Sequence, residues 1–94
     1  MPTFPNKVLE LADTAFAARA ATTPELAGAV LVREQDDIEN MQAHRIYRSK
    51  EGNYFLFICT AGQAGYLAKL TRQRAENALR SCPEIFRREF AREP

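Results

Sequence analysis

Six apolar residues in a row, Tyr54-Phe55-Leu56-Phe57-Ile58-Cys59, follow the polar turn Lys50-Glu51-Gly52-Asn53. Successive strand residues point to opposite faces, so Tyr54, Leu56 and Ile58 would share one side and Phe55, Phe57 and Cys59 the other. An apolar set on both sides predicts a strand buried on both faces. The preceding segment, His44-Arg45-Ile46-Tyr47-Arg48-Ser49, alternates in character. With Gly52 placed where a tight turn needs positive φ, the two segments predict a hairpin of an edge strand beside a central one.

Before the hairpin the spacing is helical. Val8, Leu9, Ala12, Ala15 and Phe16 predict a first helix from about Pro5 to Ala20, opened by a proline in its first turn. Thr23 and Pro24 are a second start signal. Leu26, Ala27, Val30, Leu31, Ile38 and Met41 then fit one helix face running to about Gln42. Gly28 and the run Val30-Leu31-Val32 would also suit a short helix and a strand, but the helix is favoured because only Asp36-Asp37 hints at a turn.

After the hairpin, Tyr66 to Leu70 predicts a third strand, since a lone hairpin is weak. A continuous helical stripe from Leu67 to Cys82 is the competing pattern. Thr71 caps a helix from Arg72 to Ser81, and Pro83 breaks it. Ser81 with Glu84 reads as a capping box for a last short helix with Ile85, Phe86 and Phe90 on its apolar side. The expected fold is α+β, a single domain over 1–94, ordered helix–helix–strand–strand–strand–helix–helix around a small antiparallel sheet.

Composition changes this picture little. Apolar residues are 46% and charged residues 27%, close to a soluble globular domain, which argues against global disorder. No apolar run reaches a membrane span, and Met1 to Lys7 lacks the features of a signal peptide, so a cytoplasmic protein with no membrane contact is expected. Cys59 and Cys82 fall in a buried strand and a helical pattern and read as reduced core residues.

Charge is more informative. Residues 1–44 carry three basic against seven acidic residues, and residues 45–94 carry ten against five. The net +1 therefore hides an acidic half and a basic half.

Catalytic chemistry has little to rest on. His44 is the single histidine, with no nucleophile motif beside it, so an exposed polar histidine is the simpler reading. Two distant cysteines and one histidine do not make a zinc site. Asp36, Asp37 and Glu39 lack calcium-loop spacing and read as a solvated acidic face. Gly62-Gln63-Ala64-Gly65 matches GxxG spacing but contains no Lys or Arg, and reads as a connecting loop. No catalytic residue, metal or cofactor is expected.

The function expected is a small non-enzymatic protein-interaction module, acting as a homodimer or as a regulatory inhibitor or adaptor on a larger complex. Its partner-binding residues would be Glu34, Asp36, Asp37 and Glu39, which steer a basic partner, and Phe55 and Phe57, if the helices leave that face of the sheet open. The alternative is a nucleic-acid-binding regulator using Arg45, Arg48, Lys50, Arg72, Arg74, Arg87 and Arg88 as one basic face.

Overall fold

A computed structural model describes residues 4–37, 39–60 and 65–90, with the backbone alone for 4–11. The elements are helix α1 (Phe4–Thr22), a 3-10 turn (Pro24–Leu26), strands β1 (Val30–Asp37), β2 (Gln42–Arg48), β3 (Tyr54–Thr60) and β4 (Tyr66–Leu70), and helices α2 (Arg72–Leu79) and α3 (Pro83–Phe90). All strand pairs are antiparallel, and the sheet order is β1-β2-β3-β4. The fold is α+β, as expected, but among the described residues the sheet has four strands rather than three.

The extra strand replaces the expected second helix. Gly28 sits at φ +77°, outside helical geometry, so the helix that Thr23-Pro24 starts lasts only one short turn. Val30-Leu31-Val32 then extends, as β-branched residues favour. The chain reverses at Asp37–Met41, where Asn40 donates its side-chain amide to Asp37 Oδ2 (2.6 Å) and its backbone N–H to Oδ1 (3.3 Å). Met41 takes φ +54° to close the turn. Ile38, part of the expected helix stripe, lies outside the described residues. With β1 added, β2 becomes a central strand rather than an edge.

The remaining elements follow their local signals. In the β2–β3 turn Gly52 adopts φ +90°, and its N–H donates to the Ser49 carbonyl at 3.0 Å. Thr71 Oγ1 accepts the Arg74 N–H at 3.1 Å and caps α2. The last helix starts differently from the capping-box reading. Pro83 occupies its first position, and the carbonyl of Cys82 accepts the first helical bond, from Phe86 N at 2.8 Å. Ser81 therefore lies one residue too early to pair with Glu84 across that start.

Helices cover the sheet from both sides. On one face Ala12, Ala15 and Phe16 of α1 pack with Ala43, Tyr47, Phe57 and Cys59. Phe16 stacks on Tyr47 (centroids 3.7 Å apart) and meets Phe57 edge-on at 5.6 Å. On the other face Ala75, Leu79, Ile85, Phe86 and Phe90 of α2 and α3 pack with Val32, Ile46, Tyr54, Leu56 and Leu70. The architecture is three layers, helix–sheet–helices, with β3 at its centre. Val32 sits in a break of register between Leu31 and Arg33, which turns it inward to the second core.

Gly65, at the entrance to β4, has a steric role. A Cβ there would collide with Phe57 Cζ, part of a ring with no solvent exposure. Gly65→Ala is therefore expected to overpack this core and to destabilise by about 1–3 kcal/mol, read as a lower urea midpoint at unchanged m-value. Gly62, Gln63 and Ala64 lie outside the described residues. The element after Gly65 is a strand, so this loop does not lead into a helix N-terminus.

Candidate partner-binding surface

The fold divides the expected partner-binding residues into two groups. Phe55 is 4% exposed and Phe57 is fully buried, so neither presents a surface to a partner in this fold. Helix α1 shields Phe57, Phe55 lies on the same face between Tyr47 and Lys69 with the Lys69 ammonium over its ring, and α2 and α3 shield the opposite face. Glu34, Asp36, Asp37 and Glu39, by contrast, lie together on β1 and in the turn after it.

Strand alternation sorts these carboxylates. Glu34 lies opposite Arg45, and Asp36 opposite Ala43, on the α1 face. Arg45 is only 2% exposed and is ringed by carboxylates: Asp13 Oδ1 at 2.5 Å, Glu34 Oε2 at 3.2 Å and Asp36 Oδ2 at 3.8 Å. One cation thus serves three anions, and the α1 side of β1 keeps a negative excess.

Asp37 and Gln35 lie on the opposite face, paired with Gln42 and His44. Across the sheet Gln35, His44, Ile58 and Tyr66 stand in one rung. None of the four belongs to either core cluster, and Tyr66 is 59% exposed. The helices α2 and α3 cover the neighbouring Ile46, Leu56, Tyr54 and Leu70 instead.

What remains beside β1 is an open depression of about 470 Å³ lined by Gln35, Asp36, Asp37, Glu39 and His44. Asp37 is held below the usual carboxylate range, first by the Asn40 side-chain amide and then by the Asn40 backbone N–H. It is therefore a fixed negative charge at neutral pH. His44 Nε2 lies 3.0 Å from Gln42 Oε1, a neutral amide partner that supplies no acid–base relay. Among the described residues no group of three His, Cys, Asp or Glu has metal-holding geometry.

The basic set is dispersed. Arg45 is buried on the α1 face. Arg48 is taken up by Glu89, donating from Nη1 to Oε1 at 2.6 Å and to Oε2 at 2.7 Å. The Lys50 side chain passes over Gly28, where a Cβ would collide with its Cε. Arg72 pairs with Glu76 at 2.9 Å and lies over the Phe90 ring at 4.9 Å. Arg74, Arg87 and Arg88 are exposed on α2 and α3. These seven residues fall on both sides of the sheet rather than on one face.

Two structural residues escape a reading by sequence, and each leaves a trace in it. Arg45 alternates with Ala43 and Tyr47, and that parity places it inward. Glu89 lies between Phe86 and Phe90 on the apolar stripe of α3, and its side chain is only 2% exposed. No described helix is long and apolar enough to cross a membrane. Comparison with protein-family models, with curated proteins and with solved structures finds no match.

Proposed function

We propose that this chain is a small non-enzymatic protein-interaction module, an inhibitor or adaptor that binds a basic surface of a larger protein through the acidic end of β1. The observation that carries this reading is the placement of Asp37 and Glu39, with Gln35 and His44, around an open depression whose lining, among the described residues, includes none from the helices. Carboxylates on an open surface suit a partner that presents Lys or Arg. The case for a homodimer rests on an open aromatic face of β3 and on the acidic segment meeting the basic C-terminal helices of a second copy. With Phe55 and Phe57 buried within one chain, that case loses its main support. The nucleic-acid alternative is likewise weakened by the burial of Arg45 and the pairing of Arg48. A cytoplasmic site of action fits two free thiols, Cys59 and Cys82.

The test is affinity purification from the native host, with mass spectrometry and nucleic-acid extraction on the same eluate. Asp37→Asn with Glu39→Gln removes two charges, and the new asparagine side chain still offers an oxygen to the turn. The expected result is a basic protein recovered with the wild type and depleted roughly tenfold with the double variant, as two lost ion pairs near a partly desolvated interface imply. Equal recovery, or recovery of nucleic acid alone, would contradict the proposal.

A further inference from the structure

We propose that β1 accepts an extended basic segment of another protein as a fifth strand of the sheet. The inference rests on the acidic-surface reading above and specifies how the partner is held. In the order β1-β2-β3-β4 only β1 and β4 are edges, and among the described residues β1 pairs with β2 alone. A strand edge presents unpaired backbone N–H and C=O groups, which an extended peptide satisfies by adding to the sheet.

The two edges differ. β4 is five residues long, and its Lys69 is engaged by Glu25 at 3.2 Å. β1 is eight residues long. Past the irregularity at Val32, the stretch from Arg33 to Asp37 pairs regularly with β2 and offers a straight edge. At its near end Val30 and Leu31 are 46% and 44% exposed, giving an arriving strand an apolar foothold.

The charges select the occupant. Glu34, Asp36 and Asp37 lie along the regular stretch with Glu39 just beyond, and the one basic residue there, Arg33, turns away to donate to the Ala78 carbonyl at 2.7 Å. A second β1 is a poor guest. Pairing centred on the acidic half opposes carboxylate to carboxylate, and pairing centred on Val30 and Leu31 engages only the short irregular end. A segment with Lys or Arg at alternate positions sets its cations on one face, where they meet Glu34 and Asp36, which share the single cation Arg45 with Asp13.

Fluorescence anisotropy separates the parts of this proposal. The probes are a labelled octapeptide alternating Val and Lys, the same peptide N-methylated at every backbone amide, and the peptide alternating Val and Glu. The expected result is salt-sensitive binding of the first, at least tenfold weaker binding of the N-methylated form, which keeps the charges but can donate a backbone hydrogen bond from neither edge, and no binding of the third. Amide shifts in ¹⁵N-labelled protein should change along Arg33–Asp37. Equal binding of the N-methylated peptide would overturn strand addition and leave the acidic docking surface standing. Absence of binding by either basic peptide at low salt would overturn both.

Discussion

Replacing Glu89 by alanine is expected to destabilise the protein by about 3 kcal/mol, the low end of the cost of breaking a buried ion pair because Arg48 keeps partial access to water. Glu89 is the one acidic side chain of α3 that faces the sheet. It accepts two hydrogen bonds from Arg48 and one from the Tyr54 hydroxyl at 2.9 Å. Alanine leaves a buried phenol and a half-buried guanidinium without their acceptor. It also unties α3 from β2 and β3 at the point where Phe90 packs on Tyr54. Urea unfolding measures the loss, and Glu89→Gln, which keeps an acceptor, should recover part of it.

The same cluster fixes the pH dependence. Burial alone would push the Glu89 carboxyl up, but hydrogen bonds from Arg48 and Tyr54 outweigh it and hold the carboxyl below its usual range. A depressed carboxylate stabilises the fold above its unfolded pKa, about 4.3, and that contribution is lost as pH falls through the lower folded value. The gap in stability between wild type and Glu89→Gln should therefore close on acidification below about 4.3. Tyr54 acts at the other end. Burial, and then its bond to Glu89, pushes its phenol up to about 12. A raised phenol pKa means the ionised form is disfavoured in the fold, so stability is unaffected by this group below its unfolded pKa, about 10, and falls as pH rises above it toward the folded value. Burial raises the Tyr47 phenol as well, so absorbance at 295 nm should show a late tyrosine titration that Tyr54→Phe reduces by one tyrosine.

The second large effect is expected at Phe57. Phe57→Ala should cost about 3–5 kcal/mol, a large part of the roughly 5–15 kcal/mol typical of a domain. The ring has no solvent exposure and meets Phe16 of α1 on one side and the Gly65 backbone on another. Its removal leaves a cavity between α1 and the sheet that the rigid strand cannot close. Phe57→Leu should cost less. It should also lessen the penalty of Gly65→Ala, because the clash at Gly65 is with the far end of the phenyl ring. Additive losses in that double variant would argue that Gly65 acts otherwise than by making room for Phe57.

The legible parts of the fold are those written in short-range signals. Gly52 marks the hairpin, Thr71 caps α2, Pro83 starts α3, and the unbroken apolar run announces β3. β1 reads as helix because Leu26, Val30, Leu31 and Met41 happen to fall at helical spacing. The residue that breaks the helix, Gly28, acts through a positive φ that spacing alone does not reveal. The acidic half of the candidate site is readable from charge, since Asp36, Asp37 and Glu39 cluster in sequence. The fates of the aromatic and basic candidates are not. Arg45 meets Asp13 across 32 positions and Arg48 meets Glu89 across 41, and only the folded chain brings such partners together.

The Phe57 side of β3 is covered by α1 and the Tyr54–Leu56 side by α2 and α3 within one chain, and this leaves the acidic edge rather than the aromatic strand for a partner. Amide hydrogen exchange of Tyr54–Cys59, followed by NMR over a roughly tenfold range of protein concentration, tests this most directly. These amides should be the slowest in the protein, should exchange only through global unfolding, and should keep the same rates at every concentration. Protection that rises with concentration would show that a second copy completes the cover, and would contradict a strand shielded by its own chain.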